Sequence, residues 1–215
     1  MESTILSKLD TFFFSFPSQN FKKGELLFRA GTTPSGIYYI EEGVVRRYWI
    51  SENGEEITLN LYKPHTFLPM SWAIADIPNT HFYEAMAHVK AKKAPKDTVL
   101  QFLHTEPDIV YDLLRRVYIG MEGLWMHMES LTAGNSYTKL IASLVILAKR
   151  FGTKENKDVV IRLKMSEKDI ANYAGMSRET ASRELQKLKK DSILSFDKGT
   201  IIVHDLQALE GMLLQ

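Results

Sequence analysis

SEKDIANYAGMSRETASRELQKLKK, residues 166–190, contains two helix starts separated by one glycine stop. Ser166 is placed to N-cap a short helix running through Ala174, with Asp169 at the position that completes a capping box and favours the positive end of the helix. Gly175 supplies the residue that ends it. After a short turn, Ser177 caps a second helix that runs to about Lys190. Ala181, Leu185 and Leu188 share the inward face of this second helix, and Arg178, Glu179, Ser182, Arg183 and Gln186 share the outward face. A helix, a glycine-containing turn and a second helix with such a face make the unit that lays its second helix in the DNA major groove.

The outward face has the chemistry of base readout. Arginine donates two parallel hydrogen bonds to guanine O6 and N7, and glutamate accepts from cytosine N4. Lys187, Lys189 and Lys190 follow as phosphate contacts, with Ser166 at the start of the first helix. Downstream, Ile193 to Phe196, the turn Asp197-Lys198-Gly199 and Thr200 to Val203 read as a β-hairpin wing, which brings Lys198 and Thr200 towards the adjacent backbone. An ordinary amphipathic helix with a solvated face is the plain alternative. Capping, turn and polar face agree on the DNA-reading one.

Upstream, Ser136 to Arg150 reads as an apolar helix, Thr153 to Asp158 as a charged loop and Val159 to Leu163 as a short strand. Gly134-Asn135-Ser136 marks a hinge. Before it, Val110, Leu114, Val117, Met121, Leu124, Met128 and Leu131 alternate steps of four and three along one helix from about Pro107 to Ala133. So narrow a seam suits a partner helix, hence a homodimer, better than a broad core-facing stripe.

From Phe21 to about Val89 the chain is rich in β-branched and aromatic residues punctuated by glycines, which points to short strands and tight turns. Ile57, Leu59 and Leu61 alternate with Thr58, Asn60 and Tyr62, giving a strand one apolar and one polar face. Asn53-Gly54 reads as a two-residue hairpin loop to the strand through Val45, Arg47 and Trp49. The fold class is α+β: an N-terminal β-roll (a double-stranded jelly roll) over 1–106, a dimerisation helix and hinge over 107–135, and a winged helix-turn-helix over 136–215.

Composition narrows the function. The 215 residues contain no cysteine, which removes disulfides, thiol catalysis and cysteine-ligated clusters. From Ser136 onward there are 14 Lys+Arg against 10 Asp+Glu, while the rest of the chain has 13 against 16, so the basic excess lies beside the helix-turn-helix. The longest strongly apolar run, Leu140 to Ala148, falls far short of the roughly 20 residues a membrane span needs. With no basic leader after Met1, a cytoplasmic location without membrane association is expected.

The segment from Met176 to Arg183, MSRETASR, resembles the recognition helix of the cAMP-receptor-protein/FNR family of transcription regulators. Lys23-Gly24-Glu25-Leu26-Leu27-Phe28 with Gly31, then Ile37-Tyr38-Tyr39-Ile40 and Gly43-Val44-Val45-Arg46, is similar to that family's cyclic-nucleotide-binding barrel. The resemblance covers nearly the whole chain in order. It implies double-stranded DNA bearing an inverted repeat, a second copy of the chain and RNA polymerase as partners. It also implies base contacts by Arg178, Glu179 and Arg183, with Ser182 secondary.

The phosphate cassette departs from the family pattern. Pro69 and Met70 stand where nucleotide-binding members have Gly-Glu, and Tyr83 and Glu84 stand where they have Arg-Ser. Without that arginine no bidentate phosphate partner remains, and Glu84 repels an anion. Leu124 and Trp125 replace hydroxyl residues that face adenine. The expected effector is therefore an unidentified small molecule other than cAMP. Its candidate pocket comprises Trp72, Tyr83, Leu124 and Trp125, with Arg46 or Arg47 anchoring an acid group; these aromatics equally suit a filled core. A regulator with a vestigial, effector-free barrel is the rival reading. A cupin-like metal enzyme is disfavoured because His65, His81 and His88 lack the required spacing, and the scattered histidines, His127 included, suggest no haem. No enzyme activity, metal or cofactor is expected.

Overall fold

The computed structural model describes residues 3–213, apart from the side chains of Leu131 and Ala133. The chain divides into two compact units, with the boundary in sequence at Tyr118 and Ile119. The first contains α1 (Ser3–Phe14), β1 (Ser18–Phe21), β2 (Leu26–Phe28), β3 (Ile37–Glu42), β4 (Val45–Ile50), β5 (Glu56–Tyr62), β6 (Phe67–Leu68), α2 (Met70–Ala75), β7 (Phe82–Ala85), β8 (Val89–Ala94) and α3 (Lys96–Thr105). Its strands form two antiparallel four-stranded sheets, ordered β1-β8-β3-β6 and β2-β7-β4-β5. This is the expected β-roll.

Ile37-Tyr38-Tyr39-Ile40 is apolar at four successive positions because β3 is buried on both faces. Tyr38 and Ile40 pack between the sheets with Phe28, Val45, Tyr83 and Val89. Ile37 and Tyr39 point the other way, onto Leu9 and Phe13 of α1 and Val99 and Leu103 of α3. Helix α1 escaped the sequence reading, although Ile5, Leu9 and Phe13 recur every fourth residue and are all buried. Phe13 stacks on Tyr39 with ring centres 4.6 Å apart. Removing a side chain buried this fully costs about 3–5 kcal/mol for a phenylalanine.

Two expectations in this unit are corrected. Arg47 pairs with Asn60 and Tyr48 with Thr58, leaving Leu59 as an extra residue in β5. That bulge reverses the alternation, so Thr58 is buried while Leu59 is 42% exposed. The hairpin loop has three residues rather than two: Ser51 N donates to Glu55 O, Gly54 N donates to Ser51 O, and only Gly54, at φ 79°, is left-handed. A turn followed by a left-handed glycine is the usual form for that length.

Helix α4 (Pro107–Ala133) runs as expected. Val110, Leu114, Val117, Leu124 and Met128 are 42–55% exposed, and Met121 is half-buried. Leu131 lies outside the described side chains. No helix among the described residues is long and apolar enough to cross a membrane.

The second unit continues with α5 (Ser136–Phe151), β9 (Gly152–Glu155), β10 (Asp158–Ile161), α6 (Glu167–Ala174), α7 (Arg178–Lys190), β11 (Leu194–Asp197), β12 (Thr200–Val203) and α8 (Leu206–Gly211). Asn135 caps α5, its side chain accepting from Tyr137 N and Thr138 N. Every residue of α5 from Leu140 to Ala148 is buried, and α6, α7, α8, β9 and β10 pack around it. The sheet order is β11-β12-β10-β9.

The charged segment read as a loop holds a strand, since Thr153 pairs with Val160 and Lys154 with Val159. β9 is an edge strand exposed along most of its length, so no apolar alternation marks it. In the wing, Asp197 pairs with Thr200, which leaves only Lys198 and Gly199 in the turn, both at positive φ. Asp197 therefore belongs to the strand.

Candidate DNA-reading surface and sensor site

Reciprocal bonds fix the start of α6. Asp169 N donates to Ser166 Oγ at 3.2 Å, and Ser166 N donates to Asp169 Oδ2 at 2.8 Å. Gly175 adopts φ 64° and ψ 46°, and Met176 N closes back on Ala171 O at 3.1 Å. Two residues on, Ser177 Oγ accepts from Thr180 N at 3.2 Å and starts α7. The turn between the helices is thus held by satisfied polar groups at both ends.

Ala181, Leu185 and Leu188 are fully buried, as expected. The opposite face gathers Arg178, Glu179, Ser182, Arg183 and Gln186 around one open hollow, joined by Glu167 from α6. Four of these six are the expected base-contacting residues; Glu167 was not foreseen. The lysines differ among themselves. Lys187 Nζ lies 2.5 Å from Glu184 Oε2, and Lys189 Nζ lies 3.7 Å from Glu167 and 4.5 Å from the Phe196 ring centre. Lys190 and, at the wing tip, Lys198 are exposed, while Thr200 is half-buried.

Glu184 was also missed. It is only 3% exposed, and Oε1 accepts from Arg183 Nε at 3.3 Å and from Ser136 Oγ at 3.4 Å. The hydrogen bond from Lys187 chiefly, with Arg183 adding to it, holds this carboxyl below its ordinary range against the cost of burial. The signal available in the sequence was its three-residue spacing to Lys187.

In the β-roll the two candidate arginines have different surroundings. Arg46 is 8% exposed and already lies between two acids, with Nη2 2.7 Å from Glu56 Oε2 and 3.1 Å from Glu84 Oε2. Arg47 has no carboxylate partner among the described residues; its Nη2 lies 2.8 Å from His81 Nδ1. Burial, and then the Arg47 charge, lowers the His81 pKa, which favours the neutral ring whose Nδ1 can accept that bond. Tyr83 lies in the cluster between the sheets, stacked on Tyr62. Trp72 packs instead on the helix-covered side, with the Lys96 ammonium 4.8 Å from its ring. These two aromatics are not brought together. Leu124 and Trp125 are exposed on α4.

Among the described residues no three His, Asp or Glu side chains converge in a way that could hold a metal ion. His127 packs against the Tyr173 ring, and burial chiefly lowers its pKa.

A β-roll, a long helix and a winged helix-turn-helix that exposes Arg178, Glu179 and Arg183 define a DNA-binding regulator with an N-terminal β-roll domain. Comparison with known proteins agrees in both halves: residues 18–106 match the cyclic nucleotide-binding domain, and residues 138–212 match the Crp-like helix-turn-helix domain. The chain is 28% identical over 193 residues to the global nitrogen regulator of Synechocystis sp., covering 89% of this chain and 86% of that one. It is also 28% identical to the anaerobic regulatory protein of Haemophilus influenzae, covering 87% and 73%. A CooA mutant from Carboxydothermus hydrogenoformans shares the fold, with a TM-score of 0.77 at 20% identity over 93% of this chain and 88% of that one. The chain belongs to the CRP/FNR family of DNA-binding transcription regulators, which are not enzymes.

Proposed function

We propose that the chain acts as a homodimer that reads an inverted repeat with half-sites similar to TGTGA and responds to a small molecule other than cAMP. The observation that carries this reading is that Arg178, Glu179, Ser182 and Arg183 line one open hollow on a single capped helix. Arg178 and Arg183 each suit a guanine and Glu179 suits a cytosine, with Ser182 a secondary contact. In this reading Ser166, Lys189, Lys190, Lys198 and Thr200 serve as backbone contacts, whereas Lys187, expected among them, is engaged with Glu184, and RNA polymerase is the protein partner. The organisation in this reading is a sensor over 1–106, a dimerisation helix and hinge over 107–135, and a DNA-binding domain over 136–215.

The seam on α4 supports the dimer, since Val110, Leu114, Val117, Leu124 and Met128 form a regular apolar row that stays about half exposed within one chain. In the sensor, Arg47 is the better acid anchor because Arg46 is already paired with two carboxylates. That same pairing favours a second reading, in which the barrel is vestigial and no effector acts. Binding to a duplex with two half-sites about 34 Å apart tests the dimer, because two recognition helices then engage together. The dimer binds that duplex far more tightly than a single half-site; equal affinity for both overturns the proposal. Operator affinity that changes on adding extracted host metabolites supports an effector, and affinity indifferent to them supports the vestigial barrel.

A further inference from the structure

Glu184 is a buried acid on the reading helix, in contact with two cations of that helix. Its Oε1 receives Arg183 Nε and Ser136 Oγ, and its Oε2 faces Lys187 Nζ at 2.5 Å. The Lys187 ammonium also lies 5.6 Å from the Tyr137 ring centre, so an acid and an aromatic ring hold it on the body of the domain. Arg183 is 66% exposed along its side chain yet tethered at Nε, which leaves its two terminal nitrogens free of this acid. An arginine otherwise loses several rotatable bonds' worth of freedom when it orders on a base. A tether at Nε removes part of that loss in advance.

From these contacts we infer that Glu184 is a positioning residue for DNA specificity: it aims Arg183 at its base and withholds the Lys187 charge from the phosphates. The inference rests on the reading of α7 as the base-contacting helix. Two opposite effects follow from removing the acid. Arg183 loses its aim, so discrimination at its base pair falls. Lys187 is released as a mobile cation beside the DNA, so binding to any sequence strengthens and its salt dependence steepens. General damage to the fold would instead weaken both kinds of binding together.

The test compares the full-length wild type, Glu184→Gln, Glu184→Leu and Arg183→Ala, with circular dichroism confirming that each is folded. Affinities are measured on the selected operator, on its single-base variants and on unrelated duplex over a range of salt. Glu184→Gln keeps the shape but lacks the charge that holds both cations. The expected result is at least about a threefold loss of discrimination at the base pair whose preference Arg183→Ala removes, out of the roughly 5- to 150-fold that a bidentate contact provides. The salt slope on unrelated DNA steepens by up to about 0.9 per protomer. Glu184→Leu shows the same two changes, larger in size. Unchanged base preference and salt slope in both Glu184 variants overturn the inference, as does a uniform loss of affinity on all sequences. If Arg183→Ala itself leaves base preference unchanged, the reading of α7 fails and the positioning of Arg183 falls with it.

Discussion

Arg46 and Glu84 face each other across the pairing of β4 with β7, and Arg46 Nε and Nη2 lie 3.2 and 3.1 Å from the two carboxylate oxygens. By the family resemblance Glu84 stands in the phosphate cassette, and it brings a negative charge already engaged with a buried cation. A cyclic phosphate would have to displace one acid and approach a second, Glu56. Titration calorimetry is therefore expected to find no saturable binding of cAMP or cGMP; micromolar binding of either contradicts this. Glu84→Ala leaves the Arg46 guanidinium with one acid instead of two and is expected to cost about 1–3 kcal/mol in urea unfolding.

On α4, Leu124 is 52% exposed within one chain. At a two-fold interface Leu124→Asp would bury an unpaired carboxylate once from each protomer, a change that favours monomers. Light scattering is expected to give the monomer mass for that variant and the dimer mass for the wild type. A folded variant as dimeric as the wild type would place the interface elsewhere.

The helix-turn-helix was the most legible part of the sequence because its signals are local. A serine three residues before an acid, a glycine at the helix end and a second capping serine each act within one turn, and all appear in place. The misread segments depended on what pairs with them or packs over them rather than on their own residues. Leu59 is turned outward by a bulge opposite β4, β9 is a strand only because Val159 and Val160 pair with it, and Glu184 is buried by what packs over it. The sensor candidates failed to converge for a similar reason: Trp72 and Tyr83 lie in different clusters, and no periodicity tells one apolar cluster from another.

The same local signals permit a stability test. Ser166→Ala removes both the acceptor for Asp169 N and the donor to Asp169 Oδ2, and Gly175→Ala places a side chain at φ 64°. Each is expected to lower unfolding stability by about 1 kcal/mol. Chemical denaturation of the pair would show whether these caps hold the domain, and midpoints equal to wild type would show that they do not.

His127 provides a pH signature. Burial chiefly, then the Lys139 charge, lowers its folded-state pKa below the ordinary 6.5. The unfolded chain then binds more protons than the folded one once the pH drops through 6.5, so stability falls with acidification until the folded-state pKa is passed. His81 acts in the same direction. Thermal unfolding between pH 7.5 and about 5 should show a falling midpoint, with a smaller fall in His127→Leu. An identical fall in wild type and variant would mean that His127 is not held neutral.

The central claim is that α7 reads bases as one half of a two-fold pair, and selection of binding sites from random duplex DNA by the full-length protein tests it most directly. The expected product is an inverted repeat with half-site centres about one helical turn apart, each half-site rich in the guanine and cytosine positions that Arg178, Glu179 and Arg183 suit. Recovery of no inverted repeat, or of sequences no different from the starting pool, would contradict the account.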